Sequence, residues 1–202
     1  MVWLAAAWLV TGCVGETDET ILLPVRVRDI PESVLPAEMQ EALEQQMPIY
    51  RGDRPARIEG AYVLSPVKLV YASDGYQGDF YDIDWEASEL DWWNRCIFRE
   101  RQGGAEGEGQ EAWVIGTAEG FTLYTVEQMH DDEAGWDCLV VTLVSGRKTD
   151  RGISGLRWAV VMHDKRDAEG LLVEPDTWRV FADGDGVASV VGSSKSQTEG
   201  GL

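Results

Sequence analysis

The chain is most constrained by a series of short segments, between residues 58 and 182, in which apolar and polar residues alternate. In the clearest of them, residues 80–86, Tyr81, Ile83 and Trp85 alternate with acidic residues. Successive side chains of a strand point to opposite faces, so this pattern is typical of a strand with one buried face. The sequence predicts further strands at residues 58–64, 67–72, 94–101, 111–117, 121–128, 136–144, 156–164 and 178–182.

Turn-forming residues separate these segments, chiefly glycine together with serine or aspartate. The stretch Ala118-Glu119-Gly120 joins two of the segments closely enough to form a hairpin. Roughly eight or nine short strands with turns between them predict an all-β fold. The two architectures that remain open are an antiparallel β-barrel of about eight strands and a β-sandwich.

One short helix is predicted before the first strand. Pro31 and Pro36 suit the first turn of a helix, and Pro48 ends the pattern. An apolar residue recurs every four positions between these prolines, which indicates one face packed against the body of the domain. That stripe comprises Leu35, Met39, Leu43 and Met47.

The charge balance excludes one class of partner. The chain has 17 Lys and Arg residues against 36 Asp and Glu residues, for a formal net charge of -19. Nucleic-acid binding needs basic side chains that displace counterions from phosphates, so we expect no nucleic-acid partner. The 202 residues are enough for one domain with its own core, and we expect a monomer.

The amino terminus has the features of an export signal. The apolar run that starts at Met1 is too short to span a bilayer and suits a signal peptide over residues 1–12. Val10-Thr11-Gly12-Cys13 resembles a bacterial lipobox, in which the cysteine becomes the lipidated first residue of the mature protein. The resemblance implies a membrane partner through a lipid anchor on Cys13 and a place in the cell envelope, at the outer membrane.

The remaining organisation follows from composition. Residues 13–30 are interpreted as a lipidated tether and an extended segment, residues 31–190 as the helix and β-domain, and residues 191–202 as a disordered tail. Once Cys13 is set aside, Cys96 and Cys138 remain. They would form either a disulfide, as an oxidising envelope allows, or two buried thiols.

A second resemblance rests on the residues that lead into the first strand. These are Pro48-Ile49-Tyr50-Arg51-Gly52, then Arg54-Pro55, then the segment 58–66. Together they resemble the opening of lipocalin-like lipoproteins of Bacteroidota, in which a similar segment follows a short helix and enters the first barrel strand. The resemblance implies a lipocalin-like barrel, with Gly60-Ala61-Tyr62 at the place of the lipocalin glycine-x-tryptophan start.

No constellation of residues indicates catalysis. The two histidines, His130 and His163, are interpreted as a residue of a solvated acidic loop and a strand-end residue. Asp183-Gly184-Asp185-Gly186 lacks the later ligands of a calcium loop and is interpreted as a turn after the last strand. Asp82, Asp84 and Glu86 would form one solvated strand face. We therefore predict no enzyme, no metal site and no cofactor.

Aromatic residues supply the candidate ligand contacts. In the leading hypothesis the barrel holds a small apolar or amphipathic molecule. Its candidate contacts are Tyr62, Tyr81, Trp85, Trp113, Tyr124 and Trp158. The alternative is a surface module with a closed core and no cavity, which binds a glycan or a protein. Its candidate contacts are Trp92 and Trp93, because adjacent strand residues cannot both enter one core.

Overall fold

Strands account for nearly all the regular structure. The computed structural model describes residues 27–78, 82–88, 91 and 93–191, with the backbone only at 110 and 111. Helix α1 spans Ala37–Glu44. The ten strands of the described part are β1 (Gly60–Leu64), β2 (Val67–Ala72), β3 (Ile83–Ser88), β4 (Arg95–Gln102), β5 (Ala105–Thr117), β6 (Gly120–Asp131), β7 (Trp136–Thr149), β8 (Gly152–Arg166), β9 (Trp178–Asp183) and β10 (Val187–Val190).

The strands form one antiparallel sheet that closes on itself. From β3 to β8 each strand pairs with the next one in the chain. β10 pairs with both β8 and β1, and β1 pairs with β3, so eight strands form a ring. The ring is not evenly barrel-shaped. β9 and β2 extend from β8 as additional strands. The predicted all-β, antiparallel class with one short helix is confirmed.

The bend between β1 and β2 lies against the turn between β9 and β10. Tyr62 lies opposite Val190 and Val67 lies opposite Asp183, so β1 and β2 pair in sequence with β10 and β9. At the bend, the Gly184 backbone N–H donates to the Pro66 carbonyl over 2.7 Å. A Cβ on Gly184 would lie 2.8 Å from that carbonyl oxygen, so glycine permits this close approach.

The two faces of the sheet bury different clusters. The interior cluster draws residues from all ten strands, and β6 contributes Phe121 and Leu123 to it. The alternate position, Tyr124, belongs to a second cluster on the outer face. That outer cluster is covered by α1 and its flanking residues. Alternation along each strand thus produces an enclosed interior and one apolar outer patch under the helix.

Helix α1 packs as its apolar stripe predicts. Leu35, Leu43 and Met47 are buried against the outer face. The helix proper begins after Pro36 and is shorter than the interval between Pro31 and Pro48. Among the described residues, no helix has both the length and the apolar character needed to cross a membrane.

Several boundaries differ from the sequence predictions. β5 begins at Ala105 rather than at 111, and its early half is rich in glycine. The turn at residues 183–186 is followed by β10, which the sequence analysis missed. The other predicted strands are present, and β6, β7, β8 and β9 are longer than expected, whereas β1 and β3 are shorter. The signal peptide, Cys13 and residues 192–202 lie outside the described residues.

Candidate functional site

One end of the ring interior is filled by aromatic side chains. Tyr62 stacks on Trp85 with ring centroids 4.6 Å apart, and Trp85 meets the edge of Trp158 at 6.1 Å. Phe98 lies 5.7 Å from Trp158. All four residues are at most 2% exposed. The three of them that the sequence analysis named as ligand contacts pack mainly on each other, as core aromatics do.

The other named aromatics lie elsewhere. Trp113 and Tyr124 are register partners on the outer face of β5 and β6, beside α1. Burial raises the pKa of the Tyr124 hydroxyl, which has no hydrogen-bond partner. Trp93 is half-buried, and its backbone N–H donates to Asp91 Oδ1 over 2.7 Å. Tyr81 and Trp92 lie outside the described residues.

A cavity of about 290 Å³ occupies the other end of the interior. Its walls come from β4 to β9 and from the segment 167–177 that joins β8 to β9. This volume is about twice that of a cavity of roughly 150 Å³ that accommodates benzene. The apolar side chains that line it include Met129, Val140, Val160, Met162 and Phe181.

Small residues on the inner face of β5 let side chains of β6 lie over this strand, and one of them, Ala105, lines the cavity. Along this strand Ala105, Gly107 and Gly109 alternate with glutamates that point outward. A Cβ at residue 107 would lie 1.9 Å from Glu127 Oε1, and one at residue 109 would lie 2.1 Å from Thr125 Oγ1. Side chains of β6 therefore lie over β5, in space that larger residues would fill.

Two buried glutamates flank this space. Glu100 on β4 lines the cavity and is 5% exposed, and Glu127 on β6 is fully buried. Thr142 Oγ1 donates to Glu127 Oε2 over 2.8 Å. Glu100 Oε2 and Glu127 Oε1 are buried and have no hydrogen-bond partner. Unpaired buried oxygens are uncommon in native structures, so each of them calls for an explanation.

The electrostatics of the two glutamates favour their neutral forms. Burial raises the pKa of Glu127 to about 8, although the hydrogen bond from Thr142 lowers it in part. Burial, and secondly the nearby Glu127 charge, raise the pKa of Glu100 well above its ordinary value. Burial thus shifts both carboxyls towards the protonated form, because an apolar interior disfavours the charged form.

The cations nearest the cavity have their own acidic partners. Arg179 lines the cavity, but its Nη2 donates to Asp74 Oδ2 over 2.6 Å. Lys165, whose register partner is Cys138, donates to Glu174 Oε1 over 3.0 Å. These ion pairs hold both basic groups on carboxylates other than Glu100 and Glu127.

Cys96 and Cys138 are free and buried, so the structure has no disulfide between them. Cys96 belongs to the aromatic end of the core and Cys138 to the cavity end. When the register is followed from β4 through β5 and β6 to β7, Cys96 aligns with Thr142. Cys138 lies four residues before Thr142 on β7, so the two cysteines are not aligned. Burial raises the pKa of each thiol to about 12. The pattern of two buried thiols is the one observed.

The two histidines lie on strands at the surface, whereas Asp183 is buried. His130, on β6 rather than in a loop, and His163, on β8, are exposed, and Asp183 at the end of β9 is 6% exposed. Asp183 Oδ1 accepts from the backbone N–H groups of Asp185 and Gly186 over 3.1 Å, which fixes a turn. Within the described ranges, no group of three or more His, Cys, Asp or Glu side chains is placed to hold a metal ion.

A second concavity of about 830 Å³ lies on the outer face of the ring. Its lining is mostly charged, and Arg101 Nη2 lies 3.3 Å from Asp84 Oδ2 within it. The strands that carry Tyr62 and Trp85 also contribute to its wall. The charged and polar residues of this outer groove are Asp84, Glu86, Arg99, Glu100, Arg101, Glu106, Glu108, Gln128 and His130, and Glu100 lines the interior cavity as well.

The sequence analysis did not identify Glu100 and Glu127 as site residues. A signal was present, because Glu100 follows Cys96 and Phe98 at intervals of two, and Glu127 ends the series Phe121, Leu123 and Thr125 at the same interval. Strand periodicity places both on the buried face.

Comparisons with protein families, curated proteins and solved structures found no match.

Proposed function

We propose that the protein binds a small amphipathic molecule in the interior cavity and does so without catalysing a reaction. The observation that carries this proposal is the combination of an apolar cavity with one buried carboxyl group, Glu100, whose Oε2 lacks a partner. Small-molecule sites in proteins are commonly concave and apolar, with a few polar groups that orient the ligand.

A packing defect is a poor explanation for a cavity of this size. Protein interiors are packed as densely as organic crystals. The wall of this cavity is mainly apolar, which suits the apolar part of a ligand better than ordered water, because buried water needs several polar partners.

Binding can be tested with a panel of three small probes that differ in their polar end. We expect at least one of 2-phenylethanol, 2-phenylethylamine and 3-phenylpropanoate to bind in ligand-observed NMR. Val140→Phe should abolish binding, because Val140 is 1% exposed and lines the cavity. Val126→Phe is the matched control, since Val126 is 42% exposed on β6. Failure of all three probes, or equal binding to the Val140→Phe protein, would contradict the proposal.

We further propose that the protein is an exported lipoprotein held at the outer membrane through Cys13. The support is the lipobox-like string that ends at Cys13. Cys13→Ser should remove the mass of the lipid from the mature protein and release it from the membrane fraction. An unchanged mass and membrane fraction would contradict the anchor.

The outer groove supports a second candidate function, the binding of a glycan or a protein at the surface. Its mixed acidic and basic lining suits polar ligands. In this alternative, Arg101→Ala in the groove would weaken binding on a glycan array, while Val140→Phe would leave that binding unchanged. The same assay on Trp92→Ala and Trp93→Ala tests the two tryptophans that the sequence analysis named, of which Trp93 lies outside the groove lining. Loss of glycan binding on Val140→Phe would favour the interior site instead.

A further inference from the structure

We propose that the ligand of the interior cavity carries a protonated amine, which binds at Glu100 with Glu127 as the second acidic group. This inference rests on the proposed function, because it takes the cavity as the binding site. It identifies the chemical class of the ligand as a primary amine with an apolar body.

The geometry brings the two carboxyls towards one point. Gly107 lies directly opposite Glu100 in the register of β4 and β5. Glu127 Oε1 lies 1.9 Å from the position that a Cβ of residue 107 would occupy. Opposed Cβ positions in an antiparallel pair are about 4.5–5.5 Å apart. The Glu127 oxygen therefore lies beside the Glu100 side chain, across a strand that has no side chain at this point.

The acidic pair presents two unpartnered acceptors. Glu100 Oε2 and Glu127 Oε1 both lack a hydrogen-bond donor and are buried, and Arg179 Nε on the cavity wall is a buried donor that lacks an acceptor. An ammonium group has three N–H donors and one positive charge, so it can satisfy both oxygens and stabilise a negative charge on the pair. The nearest basic side chains of the protein, Arg179 and Lys165, are engaged with Asp74 and Glu174.

Other ligand classes fit these groups less well. A carboxylate or phosphate would be repelled by the acidic pair, and Arg179 in the described wall of the cavity is already ion-paired with Asp74 and keeps only its Nε for a further acceptor. A neutral ligand could accept hydrogen bonds from the protonated acids. It would not offset the repulsion between the two carboxylates once they ionise. The formal net charge of -19 also concentrates cations near the protein.

The rest of the cavity defines the body of the ligand. Met129, Val140, Met162 and Phe181 offer an apolar wall. Methionine sulfur makes favourable contacts with aromatic rings, so an arylalkyl amine suits this wall better than a polyamine with a second charge.

Binding of an amine requires a proton to leave the acidic pair. A carboxylic acid releases its proton to the buffer, and the resulting carboxylate accepts N–H bonds from the ammonium. The groups that face the pair are Thr142 and Cys138 on β7 and Arg179 on β9. The Cys138 thiol stays protonated and Arg179 stays ion-paired over the same range, so the pair itself governs the pH dependence.

The affinity for an amine should rise with pH. For one proton with a pKa of about 8, the amine should bind roughly fifty-fold more weakly at pH 6 than at pH 8. A neutral ligand that accepts hydrogen bonds from the protonated acids should show the opposite trend.

The experiment is isothermal titration calorimetry of the full chain with 2-phenylethylamine and with 2-phenylethanol, at pH 6 and pH 8. We expect the amine to bind at least tenfold more tightly than the alcohol at pH 8, with proton release measured in buffers of different ionisation enthalpy. Glu100→Gln should remove this preference, while Glu108→Gln, on the outer face of β5, should preserve it.

The outcomes separate the two proposals. Binding of the alcohol as tightly as the amine, or amine binding without proton release, would overturn the amine assignment and leave the cavity as the binding site. Absence of binding by every probe would overturn both. If Glu100→Gln fails to fold, the comparison of amine with alcohol on the unaltered protein still decides.

Discussion

The buried position of Glu127 predicts an unusual dependence of stability on pH. In the folded protein its pKa is raised to about 8, from an ordinary value of 4.5, mainly by burial. Between these two pH values the folded state holds a proton that the unfolded state has released. The contribution of this carboxyl group to the free energy of unfolding is therefore fully present below pH 4.5, and it is lost as the pH rises through 8.

The magnitude follows from the size of the shift. Each pKa unit corresponds to about 1.4 kcal/mol, so a shift from 4.5 to about 8 gives a loss on the order of 5 kcal/mol. The raised pKa of Glu100 acts in the same direction. Asp74 and Asp91 have lowered pKa values, so they lose their stabilising effect only as the pH falls below the ordinary range. Maximal stability is expected near pH 5.

Urea denaturation at pH 5, 6, 7 and 8 measures this effect as the free energy of unfolding. We expect the free energy to fall with pH in the unaltered protein. Glu127→Gln keeps the shape of the side chain but does not titrate. The slope of its unfolding free energy against pH should therefore be shallower by about 1.4 kcal/mol per pH unit, which corresponds to one proton. Glu108→Gln, exposed on β5, is the control and should keep the steep profile.

Two results would refute this reasoning. A stability that rises between pH 5 and pH 8 would mean that the acidic pair is ionised in the folded state. Equal slopes for Glu127→Gln and the unaltered protein would mean that another group causes the pH dependence.

Two further predictions concern the same end of the interior. Gly107→Ala should destabilise the protein by about 1–3 kcal/mol, because its Cβ would lie 1.9 Å from Glu127 Oε1; a melting temperature equal to that of the unaltered protein would contradict the close packing. Cys96 and Cys138 should react with a thiol reagent only after unfolding, because burial raises their pKa values to about 12; rapid labelling of the native protein in a stopped-flow assay would contradict this burial.

Strand existence could be predicted from the sequence because it depends on a local pattern. Residues 67–72 were predicted with the observed boundaries of β2. β10 was missed because four residues after an Asp-Gly-Asp-Gly turn are too few to display alternation. Its role is to pair with both β8 and β1, which depends on residues far away in the chain.

The early half of β5 shows how a residue type can mislead. Gly103, Gly107 and Gly109 indicate turns when they are considered one at a time. In the structure Gly103 occupies the turn before the strand with φ of 60°, whereas the other two lie within the strand. What distinguishes them is period two, because Gly107 and Gly109 alternate with Glu106 and Glu108.

The candidate site was harder to predict than the fold because it depends on what is left unfilled. Aromatic residues such as Trp158 drew attention as ligand contacts, yet their size is what closes their end of the interior. The space for a ligand lies between side chains of β4 to β9 and the segment 167–177, next to the point where Glu127 covers Gly107 beside Glu100. A cavity forms where the side chains of neighbouring strands leave space unfilled. Such a space can be recognised only once the strand register is known, because the residues that line it are distant in sequence. The acidic pair, by contrast, could have been predicted, since an acid at a buried strand position must be paired, protonated or ready to bind a ligand.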